Sequence, residues 1–343
     1  MQLRLRKSFL ALVLVYGIIF ASMFYWQVCA DLQSHPANPR YYRMFKENRG
    51  AIYDRHGEVL AGSTLVGEIY ARDYAAVSLS HVVGYFHQRY GMTGLERLYH
   101  EDLLRGRSLF TTLDLELQKL AEQALQSQNG AIVVIKPATG EILALVSSPG
   151  IDGNSLDESW SDYLTDVRSP FLNRATHGLY PPGSVVKPII YGVALGKQLA
   201  EPTQIWLDEG SLALHNRTIS NSGGKPLGDI STDQALALSS NVVFAQLAIA
   251  LGDDLPVELR RCGLGRDSEF ELQNLRGFVP QRVDSDYDAA QLGLGQGELL
   301  VTPLQMAVLS ATIANGGVMM RPFVVQEVRG GLQMRQITRP RVV

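Results

Sequence analysis

The chain has 343 residues, 46% hydrophobic and 19% charged, which is enough to bury a sizeable core as one large domain with a smaller part beside it. A formal net charge of −3 gives no electrostatic footprint for nucleic acid, so no nucleic-acid partner is expected. Two cysteines, Cys29 and Cys262, and seven scattered histidines show no metal-ligand spacing, so neither a metal nor another cofactor is expected.

From Ser8 to Ala30 no residue is charged, and Phe9 to Trp26 is almost wholly apolar. As a helix that stretch is roughly 27 Å long, enough to cross the hydrocarbon core of a bilayer with its flanks. Arg4, Arg6 and Lys7 precede it, which predicts a cytoplasmic N-terminus and an extracytoplasmic bulk, with Tyr25 and Trp26 at the outer interface. A cleaved signal peptide would have a shorter apolar stretch and a small-x-small exit. The exit here, Tyr25-Trp26-Gln27-Val28, is bulky, so an uncleaved anchor is favoured over a signal peptide or a lipoprotein signal at Cys29. A disulfide from Cys29, at the end of such a segment, to Cys262 is not expected.

Residues 31–48 are polar with two prolines and read as a juxtamembrane linker. In the run from Asn48 to Ala61, Asp54 to Gly57 has turn chemistry between short apolar runs, which predicts a hairpin whose Arg and Asp residues form a structural ion pair. Short mixed elements follow around His81 to Tyr85, Gly94 to Glu96 and Leu103 to Gly106. Thr112-Leu113-Asp114 opens an amphipathic helix with Leu117, Leu120, Ala121 and Leu125 on one stripe. Gly130 to Ile135 and Glu141 to Val146 are two strands, apolar enough for burial on both faces, joined by turn residues Lys136 to Gly140.

The chain then reads as helical and loop-rich to Arg174 and reaches Tyr180-Pro181-Pro182-Gly183-Ser184-Val185-Val186-Lys187-Pro188. Ile189 to Leu195 is apolar and Gly196 is a stop signal, so Ser184 and Lys187 fall three residues apart at the start of a helix, on one face. A serine hydroxyl becomes a nucleophile when a neighbouring base takes its proton, and a partly desolvated lysine can be that base. The helix N-terminus adds N–H donors that favour negative charge on the attacked oxygen. Taken alone, such a pair is more often an N-cap beside a solvated lysine than a catalytic pair. The spacing also recurs at Ser222-Gly223-Gly224-Lys225, which is read as a loop.

Residues 200–228 read as loop-rich. A capping box at Ser231-Thr232-Asp233-Gln234 begins a short helix through Leu238, and a second helix starts at Val242. Between them, Ser239 and Asn241 can both face a cleft. Ser127-Gln128-Asn129 repeats that spacing at an ordinary helix end. Gly295 to Ala307 is a loop feeding a helix, with Thr302 as N-cap and Pro303 at the first helical position.

In order and context these runs resemble the class B penicillin-binding proteins, membrane-anchored peptidoglycan D,D-transpeptidases. The resemblance spans the anchor, Arg49 to Arg55, Gly94 to Glu96, the strand pair around Pro137 to Gly140, Tyr180 to Pro188, Ser239 to Asn241, and Gly295 to Ala307. It implies an α+β fold with a helical subdomain, an antiparallel sheet that is incomplete here, a single transmembrane helix and a short β-rich pedestal. The implied organisation is a cytoplasmic tail over 1–7, an anchor over 8–30, a linker and shortened non-catalytic pedestal over 31–110, and a transpeptidase domain over 111–343.

By the same resemblance, Ser184 would attack a D-Ala-D-Ala stem peptide and form an acyl-enzyme. Lys187 would accept its proton, Ser239 would relay a proton toward the leaving amine, and Asn241 would hold the substrate amide and orient Lys187. The implied partners are peptidoglycan stem peptides, β-lactams as covalent inhibitors, and a polytopic glycosyltransferase with other wall-synthesis proteins in a bacterial cytoplasmic membrane.

Two departures from the family pattern stand in the sequence. None of the seven lysines is followed by Thr-Gly, the third family motif, and the chain stops at Arg339-Pro340-Arg341-Val342-Val343, where the family continues into that strand. Between Ala61 and Val82 only a short connector stands where the family usually carries a larger non-catalytic domain. Three readings follow: a fragment of a transpeptidase, a site completed by another chain, or a non-catalytic scaffold in a wall-synthesis complex.

Overall fold

The computed structural model describes residues 2–29, 44–330 and 333–336. Gln2–Phe24 is one helix that passes into a π-helical turn over Tyr25–Cys29. The span Arg6–Val28 is long and apolar enough to cross a membrane, and none of it is buried against the rest of the protein. Most of the linker expected over 31–48 lies outside the described residues, as do Arg339 to Val343. At Met44–Lys46 a 3-10 turn brings Phe45 onto Phe86, rings stacked with centroids 4.6 Å apart.

The short hairpin forms as the turn chemistry predicts: β1 (Ile52–Tyr53) pairs antiparallel with β2 (Val59–Val66). β2 turns back into β3 (Ile69–Tyr74), so the short connector after Ala61 is a hairpin. After the small pair β4 (Phe86–His87) and β5 (Gly91–Met92), strand β6 (Ser108–Thr111) lies parallel to β1. Gly50 is required beside this junction, because a Cβ there would sit 1.8 Å from the Arg107 carbonyl oxygen.

The ion pairing differs from the expected one. Asp54 accepts backbone N–H bonds from His56 (2.7 Å), Glu58 (2.9 Å) and Leu115 (3.2 Å), because a carboxylate at a turn meets the local amides before its neighbour's guanidinium. Arg55 reaches Glu141 instead, at 3.5 Å. Arg49 crosses to Glu96 at 2.8 Å, and Arg72 holds the same carboxylate at 2.6 Å.

The next hairpin, β7 (Gly130–Ile135) with β8 (Ile142–Ser148), matches the predicted strand pair. Its burial does not: β8 is largely enclosed, whereas every residue of β7 is only partly buried. β8 is the sole strand on β7 among the described residues, which leaves the other edge of β7 open. The helix Leu115–Leu125 packs Ala121 against Ala144 and Val146, with Asp114 as its N-cap. Leu120, expected on the inward stripe, is 61% exposed. Its place on the inner face is taken by Gln118, whose amide bonds both the N–H and the C=O of Leu145.

Residues 200–228, read as loops, hold ordered strands. β9 (Ile205–Asp208) pairs with β12 (Gly228–Ser231), and between them β10 (Ser211–Leu214) pairs with β11 (Arg217–Ser220). The helices Lys187–Gly196, Asn241–Leu251, Asp286–Gly293 and Pro303–Ala314 form the second layer of this α+β fold. Their core is centred on Phe244, which is fully buried among Val186, Ile190, Leu247 and Ala290. Finally β13 (Val325–Gly330) and β14 (Gln333–Gln336) return to β6, giving a six-stranded sheet ordered β14-β13-β6-β1-β2-β3.

Arg49, Arg72 and Glu96 have side chains no more than 2% exposed, so removing the one anion leaves two buried cations without a counter-charge. Glu96→Gln should therefore lower the stability of the full chain by about 3–5 kcal/mol. Denaturant unfolding in detergent measures this, and a loss below about 1 kcal/mol would show that the triad is well hydrated.

Candidate active site

Ser184 is exposed on a 3-10 turn, Gly183–Val186, that runs directly into the helix Lys187–Gly196. The turn is fixed from below. Tyr180 and Val301 exchange backbone hydrogen bonds of 2.9 Å, and the Gly183 N–H donates to the Gly295 carbonyl at 2.8 Å. Gly295 has φ +70°, and a Cβ on it would lie 2.2 Å from the Gly183 oxygen, so a larger residue there would push on the turn that carries Ser184.

Lys187 is buried, only 1% exposed. Its Nζ donates to the Ser239 carbonyl (2.8 Å), Ser239 Oγ (3.1 Å) and Asn241 Oδ1 (2.7 Å), and lies 5.5 Å from the centroid of the Phe244 ring. Three acceptors match the three protons of an ammonium. Desolvation opposes that charge and lowers the pKa from 10.5 to about 8. The structure thus brings together Lys187, Ser239 and Asn241, with Ser184 one turn away. No hydrogen bond joins Ser184 Oγ to Lys187 Nζ, whose three bonds go to Ser239 and Asn241.

The turn holding Ser239 is tightly specified. The helix Thr232–Ala237 opens with the predicted capping box between Ser231 and Gln234. It closes with Ser239 in the left-handed region at φ +56°, a conformation that costs a non-glycine residue about 1–2 kcal/mol. Ser240 then caps the next helix, its Oγ accepting from the Val243 N–H at 3.0 Å. Asn241 Nδ2 donates to the Ser220 carbonyl at 2.8 Å, which fixes the amide so that its oxygen faces Lys187.

Neither duplicate motif reproduces the serine–lysine geometry. Ser222–Gly224 is a 3-10 turn broken at Gly223 (φ +68°), and Lys225 is extended, so Ser222 and Lys225 share no helix face. Ser127-Gln128-Asn129 follows the end of the Leu115–Leu125 helix, with the Gln128 N–H bonded to the Leu125 carbonyl. Among the described residues no three His, Cys, Asp or Glu side chains are grouped to hold a metal.

One contributor is absent from the sequence reading. Asn221 Oδ1 accepts from the backbone N–H of Asn241 (2.8 Å) and Val242 (3.3 Å), receiving the start of the helix that carries Asn241. The β-branched and aromatic residues of Ile205-Trp206-Leu207 and Thr218-Ile219 are the strand signal that could have located it.

Residues 130–342 match the family described as the penicillin binding protein transpeptidase domain, and residues 49–129 match the penicillin binding protein A dimerisation domain. The chain belongs to the class B penicillin-binding protein family. It is 30% identical to the peptidoglycan D,D-transpeptidase PbpA of Mycolicibacterium smegmatis, over 96% of this chain and 76% of that protein. Its identity to MrdA of Haemophilus influenzae, also a peptidoglycan D,D-transpeptidase, is 28%, over 84% of this chain and 46% of that one. The fold matches the imipenem acyl-enzyme complex of penicillin-binding protein A from M. tuberculosis with a TM-score of 0.82 at 29% identity, covering 88% of this chain and 79% of that chain. For PBP2 of Pseudomonas aeruginosa the TM-score is 0.77 at 28% identity, with coverage of 87% and 76%.

Because burial is the cause of the lowered pKa, Lys187 should lose its proton near pH 8 in the folded chain. Isotope-edited NMR of the lysine side chains, assigned with Lys187→Ala, follows that titration. A midpoint near the ordinary 10.5 would mean that water reaches the amine.

Proposed function

We propose that this chain is a membrane-anchored peptidoglycan D,D-transpeptidase that works through an acyl-enzyme on Ser184. The observation that carries the reading is the buried Lys187 amine held by Ser239 and Asn241 beneath an exposed serine. Family membership and a relative captured as a β-lactam acyl-enzyme support it.

In this reading the neutral Lys187 amine takes the Ser184 proton as Oγ attacks the penultimate D-Ala carbonyl carbon. The tetrahedral intermediate collapses, the C–N bond breaks, and the terminal D-Ala amine leaves with a proton relayed through Ser239. Asn241 Nδ2 gives one of its two N–H groups to Ser220, so the second N–H, or Oδ1 beside Lys187, is left to take a substrate amide. The amine of a second stem peptide then attacks the ester, the cross-link forms and Ser184 regains its proton. A β-lactam enters the same first step and stays on Ser184.

We further assign residues 1–7 to a cytoplasmic tail, 8–30 to a single anchor in the bacterial cytoplasmic membrane, 31–110 to a linker and shortened non-catalytic pedestal, and 111–343 to the transpeptidase domain. The bulk of the chain lies on the extracytoplasmic side, beside a polytopic glycosyltransferase and other wall-synthesis proteins. An N-terminal helix with basic residues before it and none of its apolar span buried supports this placement.

Fluorescent penicillin should label the full chain in detergent, seen as a band on a denaturing gel and as an adduct by intact mass, and Ser184→Ala should abolish it. Lys187→Ala should slow labelling by about 10²- to 10⁴-fold. A folded wild-type chain that takes no label would instead support the scaffold or fragment reading.

A further inference from the structure

Behind the Ser239–Asn241 turn lies a carboxylate that the reaction itself does not use. Asp208 ends β9 and is completely buried. Among the described residues it makes no salt bridge, so hydrogen bonds alone satisfy its charge. Oδ2 accepts the Ser240 hydroxyl at 2.5 Å, while Oδ1 accepts the Gly210 N–H and the Asn221 amide, each at 2.8 Å. Burial favours the neutral acid, but the bonds from Ser240, Asn221 and Gly210 outweigh it and hold the carboxyl below its ordinary pKa. Asp208 is therefore a buried anion across the pH range in which Lys187 titrates.

Two partners of Asp208, Ser240 and Asn221, lead directly to the lysine site. Ser240 is the residue between Ser239 and Asn241, and its hydroxyl donates to Asp208 while accepting from Val243. Asn221 turns its amide nitrogen to Asp208 and its oxygen to the N–H groups of Asn241 and Val242. An amide so placed cannot flip without losing bonds on both sides. Charge-assisted bonds to a buried carboxylate are among the stronger ones available to polar side chains. They clamp a turn whose Ser239 is in a left-handed conformation that the surroundings must enforce.

We propose that Asp208 is a positioning residue for the transpeptidase site: acting through Ser240 and Asn221, it locks the Ser239–Asn241 turn so that both acceptors converge on Lys187. The proposal rests on the transpeptidase reading above for its kinetic consequence, but its structural part stands independently. Asp208 touches neither substrate nor the reacting atoms, and its contribution is geometric.

The test compares wild type, Asp208→Asn, Ser240→Ala and the double variant as full chains in detergent. Two readouts are used: the second-order rate of labelling by fluorescent penicillin, and hydrogen exchange by mass spectrometry. Each single substitution should slow labelling tenfold or more, and the double variant should lose less than the product of the two single losses, because both break the Asp208–Ser240 bond. Peptides over 236–243 should exchange faster in Asp208→Asn, with those over 303–314 unchanged. Labelling within twofold of wild type in a folded Asp208→Asn, additive losses in the double variant, or exchange that rises equally in both regions would each overturn the proposal. If wild type itself takes no label, the transpeptidase reading fails, and the exchange pattern alone decides the positioning role.

Discussion

The site depends on a cation placed where water cannot reach it. Lys187 is 1% exposed, and burying an ammonium is costly unless acceptors replace its hydration. Ser239 and Asn241 supply those acceptors from a single turn, at 2.7–3.1 Å. Compensation is incomplete, and the pKa falls to about 8. An amine poised there is a competent base near neutral pH, whereas a solvated lysine is not. Much of the surrounding architecture serves this compromise. The Phe244 core excludes water from one side, the capped helices at Thr232 and Asn241 fix the turn between them, and the strands over 205–231 close it from behind.

The same logic separates nucleophile from base. Ser184 sits on a 3-10 turn in the open, accessible to a large substrate, while the helix that follows carries Lys187 into the core. In a 3-10 turn running into a helix, residues three apart share a face, so Lys187 lies beneath Ser184 while the serine stays open to solvent. Gly295 makes this possible by a backbone approach that no side chain would allow, and Gly183 by its left-handed φ of +62°.

Local chemistry was legible in the sequence. The Ser184 to Lys187 spacing behind Pro182-Gly183, the Ser231 capping box and the Thr302-Pro303 helix start are all written in adjacent residues, and each forms as expected. Failures arose where the deciding partner is remote. The Asp54 carboxylate takes an amide from Leu115, and β7 is only partly buried where burial on both faces was expected. Leu120 lost its inward place to Gln118, whose value lies in bonds to Leu145 that no amphipathic pattern encodes. Strands β9 to β12 were hidden by glycines and polar residues that read as loop, and with them went Asn221. The union of β6 with β13 joins segments more than two hundred residues apart, which no window of sequence reveals.

The most direct test of the account is the pH dependence of Ser184 acylation by a penicillin in the full chain. Only the neutral amine can accept the serine proton, so the rate should climb as pH rises through about 8 and level off above it, as Lys187 loses its charge. A rate that stays flat across that range, in a chain shown to remain folded, would mean that Lys187 is not the base and that the buried ammonium has a purely structural part.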